Sequence, residues 1–173
     1  VLASGEDVNV FVFDTEVYSN TGGQASKASN MGQVAQFAAA GKAIGKKSLA
    51  EIAMSYGYVY VAQVAMGADM NQLMKALTEA EAYHGPSLII GYAPCEMHGI
   101  KGGMQNCQLE MKRAVDAGYW LMFRYNPTLE SGKLIVDSKE PTTDYTKFIE
   151  SENRYARLEA SNPARAAVLF EKA

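Results

Sequence analysis

The chain has 173 residues, a formal net charge of -3, 48% hydrophobic residues and 20% charged ones. That is enough chain for one domain whose folding removes roughly 70% of the unfolded surface from water, and too apolar for a disordered polymer. The acidic balance argues against nucleic acid or an anionic membrane as partner, and no run of about 18 uncharged apolar residues is present to span a bilayer.

Val1 to Asp7 lacks the basic start and apolar core of a signal peptide. Val1-Leu2-Ala3-Ser4-Gly5 reads instead as a helix end with its Gly cap, so further chain is expected before Val1. Val8 to Phe13 is β-branched and aromatic and predicts a buried strand. Asp14 to Met31 is polar, contains glycines and has no periodicity, which is long for a passive loop. Gln33 to Ile44 is Ala-rich with Val34, Phe37 and Ala38 at helical spacing and predicts a helix. A second helix starts at the capping box Ser48-Leu49-Ala50-Glu51 and ends near Gly57. Tyr58 to Val64 predicts a strand, with Tyr56, Tyr58 and Tyr60 on one sheet face. Asp69 to Tyr83 predicts a helix with Met70, Leu73, Met74 and Leu77 on one stripe, and Met66, Met70 and Met74 are read as core packing.

Gly85-Pro86 breaks that helix, and Ser87 to Tyr92 predicts a third strand. Asn106 to Ala117 reads as a helix, Trp120 to Tyr125 and Leu134 to Asp137 as short strands. Thr143 to Glu152 and Pro163 to Lys172 read as surface helices, the last capped by Asn162. Strands separated by helices predict an α/β fold, a parallel twisted sheet with helices on both faces. The whole chain, 1–173, is read as a single domain truncated at its N-terminus, with 118–173 as a tail packed on it. Ligands of such sheets lie beyond the carboxyl ends of the strands. The loops Asp14 to Met31 and Ala93 to Gln105 both start there.

The first loop carries the most chemistry. Asp14, Thr15, Glu16, Asn20 and Thr21 supply oxygen donors, and Gly22-Gly23 allows backbone to approach a ligand. Mg2+ takes one or two protein oxygens together with phosphate oxygens of a ligand, and amides of a Gly-rich turn can hold phosphates. A polar loop without metal has the same composition. Cys95 follows the third strand, and a lone cysteine there would ordinarily be an inert core residue. His84 is read as a polar helix end and His98, in the Cys95 loop, as an ordinary exposed loop residue, with a place in the surroundings of Cys95 as the alternative. Two cysteines, Cys95 and Cys107, are too few for a secreted disulfide scaffold and point to a reducing cytoplasm.

Asp14-Thr15-Glu16-Val17-Tyr18-Ser19-Asn20-Thr21-Gly22-Gly23-Gln24 resembles the second half of the thiamine-diphosphate motif of pyruvate:ferredoxin (flavodoxin) oxidoreductases. The likeness continues through Lys27-Ala28, Phe37 to Lys42, Gly45-Lys46-Lys47, Tyr56 to Ala62, Gly85 to Leu88, Tyr92-Ala93-Pro94-Cys95, Gly118-Tyr119-Trp120 and Phe123-Arg124-Tyr125. It implies a thiamine-diphosphate-binding fold in which the Thr15 hydroxyl and the Val17 carbonyl hold Mg2+. Asn20 matches the catalytic Asn near thiazolium and substrate, and Asp14, Thr21, Gly22 and Gly23 join it in cofactor binding. Cys95 matches the last ligand of a 4Fe–4S cluster, whose other three ligands lie elsewhere in the family, while Cys107 matches none. The family's Gly-Asp-Gly, with a further Mg2+ ligand, would fall before Val1, so the chain alone is expected to be inactive.

The implied parent decarboxylates pyruvate oxidatively to acetyl-coenzyme A and sends electrons through iron–sulfur clusters to ferredoxin or flavodoxin. Its site closes against other domains of a cytoplasmic homodimer. Two further readings fit the same residues: the small subunit of another 2-oxoacid:ferredoxin oxidoreductase, and a non-catalytic α/β module binding a phosphate-bearing ligand or a partner protein.

Overall fold

The computed structural model describes residues 1–172. Its strands are β1 (Val8–Asp14), β2 (Val17–Tyr18), β3 (Gln24–Ala25), β4 (Tyr60–Val64), β5 (Pro86–Tyr92), β6 (Phe123–Tyr125) and β7 (Leu134–Val136). The helices are α1 (Leu49–Met54), α2 (Met70–Ala82), α3 (Cys107–Asp116), α4 (Tyr145–Ser151), α5 (Asn153–Ser161) and α6 (Pro163–Lys172). The chain divides into two compact units. One is built from Val1–Asp14, Ser48–Ala93 and Gln108–Thr142, the other from Thr15–Lys47, Pro94–Cys107 and the chain from Thr143 onward.

The first unit holds a five-stranded sheet in the order β1-β5-β4-β6-β7. β5 runs parallel to β1 and to β4, as the alternation of strands and helices predicts, whereas β6 and β7 are antiparallel additions. Every residue of β5 is buried, the mark of a central strand covered on both faces. β1 departs from the expected buried strand. Its burial alternates, and Phe13 stands 71% exposed, because β1 is an edge with one face open.

α2 starts at Asp69, whose carboxylate accepts from the amides of Asn71 and Gln72. It packs Leu73, Ala76 and Ala80 against Tyr60, Ala62, Val64 and Ile89. Met66, Met70 and Met74, read above as core, are all exposed. The small Ala76 and Ala80 let the helix approach the sheet closely, which turns the methionine edge outward. Of the three alternating tyrosines, Tyr56 and Tyr58 are exposed, and only Tyr60 is buried, its hydroxyl 2.9 Å from Glu79 Oε2.

Gly67, just past β4, faces the backbone of Gln108 in α3, and a Cβ there would overlap the Gln108 carbonyl. Gly67→Ala is therefore expected to destabilise the chain by about 2–3 kcal/mol, the upper range for forced overpacking. Thermal unfolding followed by circular dichroism measures it, and an unchanged midpoint would mean that the α3 start yields freely.

In the second unit β2 and β3 form an antiparallel hairpin. The helix predicted over Gln33 to Ile44 is absent. Its amides go elsewhere: Gln36 donates to the Gly23 carbonyl at 3.0 Å, and Lys42 to that of Gln33 at 3.0 Å. The Gln36 carbonyl takes the Ala25 amide at 2.9 Å. Alanine content is a weak prior beside such pairing, and Phe37 and Gly41 have φ of 64° and 75°, outside any helix. The C-terminal helices supply the core here, with Leu158, Ala166 and Leu169 against Met31 and Val34. Asn162 caps α6 as predicted, accepting from Arg165 N at 3.1 Å.

Candidate functional site

β1 ends on Asp14, in register with Tyr92 of β5, and the Asp14 carbonyl accepts the Ala93 amide at 3.0 Å. Asp14 is buried in the first unit. The segments that follow both strands, from Thr15 and from Pro94, belong to the second unit.

That unit begins with a sharp reversal. The Val17 amide donates to the Thr15 carbonyl at 2.6 Å across Glu16, whose φ is 60°. This is a γ-turn of the rarer positive-φ kind, strained for a residue with a side chain. It folds Thr15 back, so that Thr15 Oγ1 donates to the Val17 carbonyl at 3.0 Å. Two ligands at neighbouring corners of a Mg2+ octahedron, each about 2.1 Å from the ion, lie about 3 Å apart. The hydroxyl and the carbonyl thus have the spacing of one metal's adjacent ligands.

Three anchors surround the turn. Ser26 Oγ and Ser29 Oγ both donate to the Glu16 carbonyl, at 2.7 and 2.6 Å. The Glu16 carboxylate is fully buried, with Arg154 Nε 3.6 Å from Oε2 and Asn30 Nδ2 3.4 Å from Oε1. His98 Nε2 lies 2.9 Å from the Thr15 carbonyl. A carbonyl only accepts, so Nε2 carries the proton. His98 is 2% exposed, which corrects its reading as an exposed loop residue. Burial first, and the Arg154 charge second, push its pKa down to about 4, so the ring is neutral at pH 7.

After Val17 the hairpin turns through Ser19 to Gly23. The Gly22 amide donates to Ser19 O at 3.1 Å and the Gly23 amide to Tyr18 O at 2.8 Å. Both glycines have positive φ, 113° and 82°, which explains the pair as a requirement of the turn. Asn20 and Thr21 are exposed at its tip, and the Thr21 hydroxyl is 2.5 Å from Gln24 Oε1. Cys95 is buried and opens the 3-10 turn Glu96–His98, where the His98 amide donates to the Cys95 carbonyl at 3.0 Å. One residue, His98, therefore links the Cys95 turn to Thr15. Cys95 and Cys107 are both free thiols. Among the described residues no cluster of three or more His, Cys, Asp or Glu could hold a metal by itself.

Residues 2–90 match the family model described as thiamine pyrophosphate enzyme, C-terminal TPP binding domain. The chain belongs to this family. The loop after β1 lies within the matched residues. Over 99% of its length it is 56% identical to the pyruvate-flavodoxin oxidoreductase of Klebsiella pneumoniae, and over 100% it is 60% identical to the pyruvate:ferredoxin oxidoreductase of Moorella thermoacetica. It is also 50% identical, over 98%, to the mitochondrial pyruvate dehydrogenase (NADP+) of Euglena gracilis. The chain spans only 15%, 15% and 10% of these relatives. No helix among the described residues is long and apolar enough to cross a membrane.

The structure brings Thr15 Oγ1 and the Val17 carbonyl together, and Asn20 sits one hairpin strand away. Sequence reasoning missed Ser26, Ser29 and Arg154 and undervalued His98. No local pattern marks any of them; only the fold brings them to the Glu16 turn.

Proposed function

We propose that this domain is the Mg2+ and thiamine-diphosphate part of a cytoplasmic, homodimeric enzyme that oxidatively decarboxylates pyruvate to acetyl-coenzyme A. Its electrons would leave through 4Fe–4S clusters to ferredoxin or flavodoxin. The observation that carries the reading is the oxygen pair of Thr15 Oγ1 and Val17 O at 3.0 Å, in a chain 56% and 60% identical to two such oxidoreductases along its length.

When bound, thiamine diphosphate supplies the carbon-centred chemistry of decarboxylation. The chain's own residues bind and orient. Thr15 Oγ1 and the Val17 carbonyl would hold Mg2+, whose charge would favour binding of the diphosphate. Asp14, Thr21, Gly22 and Gly23 shape the surrounding loop. Asn20, exposed at the hairpin tip, offers an amide to a substrate oxygen. Cys95 contributes one thiolate to a cluster that needs four, and the remaining ligands come from other domains, as do those that complete the cofactor site. In this reading 1–173 act together as one cofactor domain that is inactive when isolated.

The test is an assay of the full-length enzyme. Coenzyme A-dependent reduction of flavodoxin or ferredoxin with pyruvate is expected, at a rate far above that with 2-oxobutyrate or 2-oxoglutarate. Equal or better turnover of another 2-oxoacid would reassign the substrate. The similarity to a relative named for NADP+ makes the acceptor the variable part of the reading, and reduction of NADP+ in place of the two carriers would reassign it.

A further inference from the structure

We propose that Glu16 is a positioning residue, whose clamped left-handed turn selects the Val17 carbonyl, and not its neighbours, as the backbone ligand of the metal. The inference rests on the metal site proposed above. Three successive carbonyls are available in this stretch, and the structure treats them differently. The Thr15 carbonyl accepts twice, from the Val17 amide at 2.6 Å and from His98 Nε2 at 2.9 Å. The Glu16 carbonyl also accepts twice, from Ser26 Oγ at 2.7 Å and Ser29 Oγ at 2.6 Å. Each therefore has both lone pairs engaged. The Val17 carbonyl instead takes the Thr15 hydroxyl at 3.0 Å, a donor that is itself the second ligand and can rotate its hydrogen away.

Glu16 also has the one carboxylate between the two ligands, the group a hard cation would ordinarily choose. It is withheld. Its side chain is fully buried beside Arg154, whose Nη1 lies 3.2 Å from Glu152 Oε2, so the anchoring charge comes from the start of α5. A buried ionic anchor offsets the strain of a positive φ at a residue with a side chain, and that φ makes the reversal tight enough to bring Thr15 Oγ1 onto Val17 O. The carboxylate thus sets the geometry of a metal site without binding the metal.

The experiment uses the full-length enzyme stripped of metal and cofactor. The Mg2+ concentration that half-saturates binding of thiamine diphosphate is measured by equilibrium dialysis. Mn2+ in place of Mg2+ reports the ligand geometry through its electron paramagnetic resonance spectrum, which general destabilisation does not alter. The double variant Ser26→Ala/Ser29→Ala is expected to raise the half-saturating Mg2+ by about tenfold or more, as loss of outer-shell partners does, and to change the Mn2+ spectrum. Glu16→Gln keeps shape and backbone donors and guards against misfolding of the double variant; it is expected to shift both readouts in the same direction. Thr15→Val is the reference. If it raises the Mg2+ requirement while Glu16→Gln and the serine variant do not, the positioning role is overturned and the metal site stands. If Thr15→Val has no effect either, the metal site itself is wrong and this inference falls with it.

Discussion

Thr15→Val in the full-length enzyme is expected to weaken Mg2+-dependent binding of thiamine diphosphate by at least about 100-fold, with pyruvate oxidation falling in parallel at limiting cofactor. Valine keeps the volume and branching of threonine and removes only the hydroxyl. The fold loses one hydrogen bond to the Val17 carbonyl, while a metal held as proposed would lose one of its two ligands from this loop. Metal charge stabilisation is worth several kcal/mol, and each 1.36 kcal/mol is a factor of ten. Thr15→Ser restores the oxygen without the methyl and should recover most of the binding. The check is cofactor titration at fixed Mg2+; an affinity within threefold of the native enzyme would remove Thr15 from the metal site.

The second large effect concerns stability. Arg154→Met is expected to lower the unfolding free energy by about 3–5 kcal/mol, because it strands the Glu16 carboxylate in a site where both side chains are at most 2% exposed. Arg154 also lies against Glu152, so two carboxylates lose one counter-charge. The double variant Glu16→Gln/Arg154→Met removes the stranded charge and should regain part of the loss. Denaturant unfolding of the native chain, both single variants and the double variant closes the cycle. Additive losses would show that the two residues do not interact.

The consequence for function is that the loop after β1 is held from its own unit, by α5 and by the turn after Cys95. The metal site proposed on two oxygens of one short segment would depend on residues that the motif does not contain. The Cys95 turn touches the same segment through His98, so Cys95 and Thr15 share one frame within the unit.

Much of the sheet was legible in the sequence. β4, α2 and β5 follow from hydrophobic runs, the Asp69 cap and the break at Gly85-Pro86, and the Ser48 N-cap forms as predicted, with Ser48 Oγ accepting from Glu51 N at 3.1 Å. Those signals are local, and the structures they specify are local too. Gln33 to Ile44 failed because its composition favours a helix while its amides pair with the hairpin, a tertiary preference that no periodicity carries. Met66, Met70 and Met74 lie outside the core because the buried face of α2 runs through Leu73, Ala76 and Ala80, with Leu77 at its edge. Thr15, Val17, Asn20 and Cys95 were read from a resemblance to a family; their oxygen and thiol chemistry alone favoured a metal-free loop and an inert cysteine. Arg154 was beyond reach, since nothing in its neighbourhood distinguishes it from the other surface-helix arginines until Glu16 is placed beside it.

The most direct test is a high-resolution structure of the full-length enzyme with Mg2+ and thiamine diphosphate. The account predicts Thr15 Oγ1 and Val17 O each about 2.1 Å from the ion, at adjacent corners of its octahedron, with the Glu16 carboxylate still buried beside Arg154. A Mg2+ ligated by the Glu16 carboxylate, or held in this loop through water alone, would contradict it.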